Sequence, residues 1–264
     1  VTNPACQPVM LTTGKPSFSN SWDEYRNSIW HRVGYVNWGY EAIGRFDSWE
    51  QIANYPVDND RKGNRTVVPG DIMYKDQNND GVINYLDERP IGYRVDSTPT
   101  LNFGINLSAS WKGFDLAMDW TGSRMTSWNQ CYETARPFQN DGNSPDEVLK
   151  DAWHLSDIWD ANSPLIPGKY PMVRLNTDET SAYDKSSYWL HNVTYLKLRN
   201  LEVGYTFPKT WLNRTGISNL RLFVSGTNLL TLSNLSVMDP ECASDNGLDY
   251  PPMRVINIGV NLKF

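Results

Sequence analysis

The sequence predicts an all-β chain of the transmembrane antiparallel barrel type, with long extracellular loops that contain short helices. Three observations predict it. Several segments alternate apolar and polar residues with period two, the mark of a strand with one greasy and one wet face. The links between these segments are unequal. Some are tight turns, while others are long, polar and rich in Gly, Pro, Asn and Asp, which is the barrel arrangement; a sandwich has similar loops at both ends. Aromatics make up 12% of the 264 residues, with 11 Trp and 14 Tyr, an abundance suited to girdles at the two membrane interfaces.

The elements follow in order. Val36–Phe46 (VNWGYEAIGRF) reads as a strand of the sheet. In LNFGINLSASW, Leu101, Phe103, Ile105, Leu107, Ala109 and Trp111 share one face and Asn102, Gly104, Asn106, Ser108 and Ser110 the other. Lys112-Gly113 then turns the chain into FDLAMDWTG, where Phe114, Leu116, Met118 and Trp120 alternate with Asp115, Ala117, Asp119 and Thr121. Two such runs about a Lys-Gly pair predict a tight hairpin.

Tyr188–Phe207 is a longer strand. Its apolar parity changes near Arg199-Asn200, from Leu196 and Leu198 to Leu201, Val203 and Tyr205, which predicts a bulge or a one-residue shift. Leu220–Leu232 and Arg254–Phe264 complete the set. In the last, Ile256, Ile258, Val260, Leu262 and Phe264 form one face, against Val255, Asn257, Gly259, Asn261 and Lys263.

With the Lys112-Gly113 turn on the short-turn side, these strands alternate in direction and the C-terminus falls on that side, the periplasmic one for a barrel. The long links, Thr126–Ser187 and Ser233–Met253, carry helix-start signals. Ser144-Pro145-Asp146-Glu147 combines an N-cap Ser, Pro at the first helical position and Glu at the third. Ser48-Trp49-Glu50-Gln51 and Ser21-Trp22-Asp23-Glu24 are further capping boxes.

Several function classes are excluded or left without support. The net charge is −6, from 24 Lys and Arg against 30 Asp and Glu, opposite to the basic stripe of a nucleic-acid binder. No run approaches the ~20 apolar residues of a membrane helix, a test that strands escape. Cys6, Cys131 and Cys242 lack CxxC spacing and give no disulfide framework, although a single Cys131–Cys242 bridge remains open.

His31, His154 and His191 are scattered and read as structural. No GxSxG, HExxH, GxGxxG or P-loop string occurs, so no enzyme activity is expected and no catalytic residue is assigned. Trp128, Trp153, Trp159 and Trp189 in or beside the long loops read as packing residues, with stacking on sugars or peptides as the alternative. The opening VTNPACQPVM has no Met start, basic n-region or apolar h-region, and reads as the start of a mature form or of an internal piece of a longer chain.

One segment carries metal chemistry. DQNNDGVINYLD places side-chain oxygens at loop positions 1, 3 and 5 (Asp76, Asn78, Asp80) and Gly81 at position 6. The Val82 carbonyl falls at position 7, Asn84 at 9 and Asp87 at 12. This is the spacing of the ~12-residue calcium loop, with Asp in place of the final Glu. A hard cation takes several oxygens, alternate residues bring them inward, and glycine permits the sharp turn. A structural Ca²⁺ held by Asp76, Asn78, Asp80, Val82 and Asp87 is expected, with no part in catalysis. Convincing helices do not flank the loop, so it is a clip rather than a helix–loop–helix sensor.

Motifs in a fixed order add a resemblance. Pro69-Gly70-Asp71-Ile72, YKDQNNDGVIN, IGY and PTLNFGINLSASWKGFDLAMDWTGS are followed by Tyr170-Pro171, YLKLRNLEVGYTFPK, LRLFVSGTNLLTLS and INIGVNLKF. Together they resemble the C-terminal region of SusC/RagA-type TonB-dependent outer-membrane transporters, from about Gly34 onward. Residues 1–33 match poorly and read as a loop or separate N-terminal segment, and 34–264 as barrel strands and extracellular loops.

The resemblance implies a plugged barrel of ~22 strands that imports oligosaccharides or peptides. It implies a SusD-like surface lipoprotein as lid, coupling to TonB through a region outside this chain, and Phe264 at the position of the barrel-assembly signal. Six strands cannot close such a barrel, and open edges in lipid leave backbone groups unpaired. The remainder of the same barrel is therefore an expected partner. The alternative from another class is a secreted, calcium-stabilised β-sandwich adhesin or carbohydrate-binding module, in which a second sheet would bury Ile258 and Leu262.

Overall fold

The computed structural model describes residues 36–93, 99–175, 179–213, 216–235, 238–241, 247, 249–250 and 252–264. In chain order the strands are β1 (Asn37–Gly39), β2 (Ala42–Arg45), β3 (Ile72–Tyr74), β4 (Arg89–Gly92), β5 (Leu101–Trp111) and β6 (Phe114–Asn129). They continue with β7 (His154–Leu155), β8 (Leu165–Ile166), β9 (Leu190–Thr206), β10 (Asn219–Ser233) and β11 (Val255–Lys263). Three short α-helices are described, beside short 3₁₀ turns: α1 (Trp49–Ala53), α2 (Asp146–Lys150) and α3 (Lys209–Leu212). No described helix is long and apolar enough to cross a membrane. The chain divides into two compact units, residues 1–94 with 129–191, and residues 95–128 with 192–264.

The second unit is built on one five-stranded sheet in the order β11-β10-β9-β6-β5. The hairpin expected at Lys112-Gly113 is present. Both residues have positive φ, 49° and 90°, the pairing that lets a two-residue turn follow the strand twist. The β5–β6 ladder runs unbroken from Leu101↔Arg124 to Trp111↔Phe114. β10 pairs antiparallel with both β9 and β11.

The parity change near Arg199-Asn200 is also present. From Thr227 to Leu230 β10 takes three steps while β9 takes two, from Asn200 to Leu198. The extra residue thus sits in β10, where Asn228 has φ 53°, and Leu230 and Leu232 stay opposite Leu198 and Leu196.

Val36–Phe46 does not join this sheet. It forms β1, paired with β4, and β2, paired with β3, both inside the first unit. The reason lies in its aromatic anchors. Tyr40 and Phe46 are buried in the two cores of that unit, Tyr40 beside Tyr74, Ile83 and Trp189, and Phe46 beside Ile52 and Val67. The Tyr40 N–H donates to the Lys185 carbonyl (2.9 Å), which ties the segment to another loop of the same unit.

Polar side chains organise the loops of the first unit. The Asp60 carboxylate is 4% exposed and accepts from the Lys62, Asn64 and Thr66 N–H groups and the Thr66 hydroxyl at 2.7–2.8 Å. Burial alone raises a carboxyl pKa; here the donors outweigh it and hold Asp60 below the usual carboxylate range. Asp71, fully buried, pairs with Arg174 and accepts from the Val68 N–H at 3.0 Å.

The helix signals are partly realised. Ser48 caps α1 by accepting from the Gln51 N–H (3.2 Å), while the Gln51 side chain reaches the Asp47 N–H (2.7 Å) instead of Ser48. α2 forms where Ser144-Pro145 predicts it, but Pro145 occupies the N-cap and Ser144 makes no capping bond. The Ser21–Glu24 box lies outside the described residues.

Candidate membrane wall and metal loop

The ladder registers divide the sheet into two faces. Residues directly opposite on neighbouring strands point the same way, so Ile258–Val224–Val203 and Val260–Leu222–Tyr205 are rows on one face. Ile105–Trp120 and Leu107–Met118 are apolar rows of the β5–β6 hairpin. The apolar side chains are open to the surroundings: Ile258 is 83% exposed, Leu262 51% and Ile105 44%. No second β-layer among the described residues covers them, so the sandwich alternative loses its defining contact. β11 and β5, at 9 and 11 residues, have the length of a tilted strand crossing hydrocarbon, and β6, β9 and β10 run longer.

The opposite face is polar and cross-linked. Arg221 on β10 donates through Nη2 to Glu202 Oε1 on β9 (2.6 Å) and through Nε to Asp115 Oδ1 on β6 (3.1 Å). It reaches β6 by passing over Gly204, where an added Cβ would stand 2.5–2.6 Å from the Arg221 and Asp115 heads. Asn200 donates to Asp119 (3.2 Å).

A second cluster ties the link after β10 to the sheet. Lys197, 1% exposed, donates to Asp239 Oδ2 (2.8 Å) and Glu241 Oε2 (3.0 Å). Arg199 pairs with the other Glu241 oxygen and donates to the Thr121 hydroxyl (2.9 Å). Sequence reading missed this cluster. Period two places Lys197 and Arg199 on the polar face, but nothing local points to carboxylates more than forty positions away.

The candidate metal loop lies between β3 and β4. One carboxylate oxygen from each of Asp76, Asp80 and Asp87 lies within 4.8 Å of the others. The backbone folds around them: Asn79 and Gly81 donate to the two Asp76 oxygens (2.6 and 2.8 Å), and Val82 donates to Asp80 Oδ1 (2.9 Å). Gly81 has φ 83°, a conformation glycine adopts without penalty. The Asn84 amide donates to Asp80 Oδ2 (3.3 Å) and to the Val82 carbonyl (3.1 Å), which puts that carbonyl beside the carboxylates.

Asp87 is fully buried and accepts from the Gln77 and Asn84 N–H groups (2.8 and 2.9 Å). Hydrogen bonds from the Val82 N–H and the Asn78 amide hold Asp80 below the ordinary carboxylate range. The loop is tied down by Asp58, whose N–H donates to the Gly81 carbonyl (2.8 Å) and whose carbonyl accepts from Ile83 (2.9 Å). Ile83 is buried in the core of the first unit. The donors are all oxygens, the set that suits a hard divalent cation of calcium's size.

The other singled-out residues separate cleanly. Trp128, Trp153 and Trp189 are buried, Trp189 in stacked contact with Tyr170 and Tyr183. Trp159 is 90% exposed. His154 Nδ1 lies 2.9 Å from the Ala152 carbonyl and His191 Nε2 3.1 Å from Gln130 Oε1, both structural contacts. Cys6, Cys242 and His31 lie outside the described residues.

No protein-family model matches the chain. Among curated proteins it is similar to TonB-dependent receptor P3 of Formosa agariphila, 30% identical over 241 residues, covering 85% of this chain and 22% of that protein. TonB-dependent receptor P26 of the same organism is 27% identical over 86% of the chain and 22% of its own length. TonB-dependent receptor SusC of Bacteroides thetaiotaomicron is 24% identical over 89% of the chain and 20% of its own length. The chain thus spans about a fifth of the length of these relatives.

Among solved structures the RagAB peptide transporter shares the fold, with TM-score 0.56 at 22% identity over 88% of this chain and 23% of that one. The RagAB peptide importer in its closed-closed state gives TM-score 0.57 at 21% identity, over 88% and 24%. Over 85–89% of its length the chain is thus similar to a stretch of TonB-dependent receptors, and it shares the fold of the matching part of the RagAB transporter.

Proposed function

We propose that this chain is part of the wall of a TonB-dependent nutrient importer in the outer membrane, working with a SusD-like lipoprotein lid. The carrying observation is the exposed apolar face of the five-stranded sheet, set against a polar face of crossed ion pairs. A face of this kind is stable against hydrocarbon and costly in water. β5 and β11 are the sheet's two edges, and backbone groups at an edge in lipid need partners, which the remainder of the same barrel supplies. The C-terminus then lies on the periplasmic side with the short turns.

The relatives carry the cargo reading. Some are named as receptors that depend on TonB, and the solved structures are named as a peptide transporter. Oligosaccharides or peptides are therefore the cargo classes to test. Uptake of a labelled oligosaccharide or peptide library by cells carrying the full-length receptor should stop when TonB is deleted or the lipoprotein is removed. Uptake indifferent to both deletions would overturn the importer reading.

The metal loop supports this role as a clip. Asp76, Asn78, Asp80, the Val82 carbonyl and Asp87 would hold a structural Ca²⁺ that relieves the repulsion among three carboxylates. EGTA treatment of the full-length protein is expected to speed amide exchange between Val68 and Tyr93 and leave strand content unchanged. Readdition of Ca²⁺ should reverse it; exchange that ignores the ion would remove the metal from the account.

A further inference from the structure

The polar face of the five-stranded sheet holds its cations in two ways. Arg221 is paired by Glu202 and Asp115, carboxylates carried by β9 and β6 and so fixed in the wall itself. Lys197 and Arg199 of β9 are paired by Asp239 and Glu241, which lie outside every described strand, in the 233–253 link. A single carboxylate bridges the two cations. Glu241 Oε1 pairs with Arg199 and Oε2 accepts from Lys197 Nζ at 3.0 Å, while Asp239 Oδ2 takes a second Lys197 bond at 2.8 Å. The Glu241 N–H donates to Asp239 Oδ1 (3.0 Å), so both acids are presented on one turn. A cavity of about 450 Å³ opens beside this bridge, lined by Asn102, Gly104, Thr121, Tyr195, Arg199 and Glu241 among others.

This geometry is a carboxylate cradle whose occupant is exchangeable. An ammonium and a guanidinium side by side fix a carboxylate by both of its oxygens, through charge-assisted bonds. Displacing Glu241 breaks no ladder bond, since it belongs to no strand. It does leave Lys197, 1% exposed, and Arg199 short of negative charge, a cost that only another anion offsets. The cavity admits such an anion beside the Arg199 guanidinium, and the Asn102, Thr121 and Tyr195 side chains in its lining supply polar groups for the rest of an oligomer. A neutral ligand, which cannot replace the lost charge, gains nothing by displacing Glu241.

We infer that Lys197 and Arg199 form a subsite for carboxylate-bearing cargo, with Glu241 as a built-in competitor that yields to it. The inference rests on the importer reading above and narrows its cargo to acidic oligomers. The test is calorimetric titration of full-length receptor in detergent, at fixed ionic strength, with two acidic probes: trigalacturonate and N-acetyl-triglutamate amide. Fully methyl-esterified trigalacturonate and N-acetyl-triglutamine amide are the uncharged controls. At least one acidic probe is expected to bind and both controls to fail; the acid that binds assigns the cargo backbone to sugar or peptide. Glu241→Gln is expected to tighten acidic binding about fivefold, because the internal competitor is gone. Arg199→Gln is expected to weaken it about tenfold through the lost charged bond, and Arg199→Lys to recover part of the loss. Equal binding of acids and controls, or no binding of any probe, would overturn the subsite, as would unchanged affinity in Glu241→Gln. These titrations need neither TonB nor the lipoprotein. Acidic binding alongside uptake that ignores both deletions would therefore sink the importer reading and leave the subsite standing.

Discussion

Ile258→Arg is expected to cost the folded receptor about 2–4 kcal/mol in a bilayer, the depth-dependent penalty for a cation on the lipid face of a barrel near the midplane. Ile258 sits mid-strand in β11, opposite Val224, and is 83% exposed. Were that exposure to water, the same change would fall within about ±0.5 kcal/mol, the range of ordinary surface substitutions. The two environments therefore give different magnitudes for one mutation.

Asn257→Arg, one residue away on the polar face and opposite Ser225, is the matched control and should be close to neutral. The measurement is the folded fraction of full-length receptor in lipid vesicles across a urea series, read by heat-modifiable migration. Equal tolerance of arginine at 257 and 258 would sink the lipid-facing assignment.

Lys197→Met is the second large effect. Removing the ammonium leaves Asp239 without its cation and Glu241 with Arg199 alone. Breaking a buried ion pair from one side costs about 3–5 kcal/mol; about 3 is expected here, because Asp239 and Glu241 keep 16% and 17% of their side-chain surface exposed. The loss should appear as earlier thermal unfolding and as protease cleavage within the 233–253 link, which the pair ties to β9. Adding Asp239→Asn to Lys197→Met should restore most of the stability, since it removes the carboxylate left without a cation while Glu241 keeps Arg199. Cleavage unchanged in the single variant would remove the tether from the account.

The contrast between these two sites explains how far the sequence could be read. Ile258 was legible because alternation is local: each strand residue's face follows from its parity, and lipid on one side with polar groups on the other writes that parity into consecutive letters. The Lys112-Gly113 turn and the gathering of the Asp76, Asp80 and Asp87 carboxylates were legible for the same reason, as turn chemistry and residue spacing are properties of a few adjacent residues. Val36–Phe46 was misassigned because a short alternating run has the same pattern in a barrel strand and in a three-residue strand of a loop core. What decided between them was the Tyr40 backbone bonding to Lys185 and Ser187, contacts across nearly 150 positions.

The sequence by itself determined the strand class, the apolar face, a break in register near Arg199-Asn200 and the acidic loop. Tertiary structure alone decided which polar groups meet. Arg221 crosses Gly204 to reach Asp115, Lys197 gathers Asp239 and Glu241, and of the four loop tryptophans only Trp159 is left outside the packing. The physical reason is range. Backbone conformation and facial polarity are set by neighbours along the chain, whereas ion pairs and aromatic packing depend on distances that exist only after the strands have found their register.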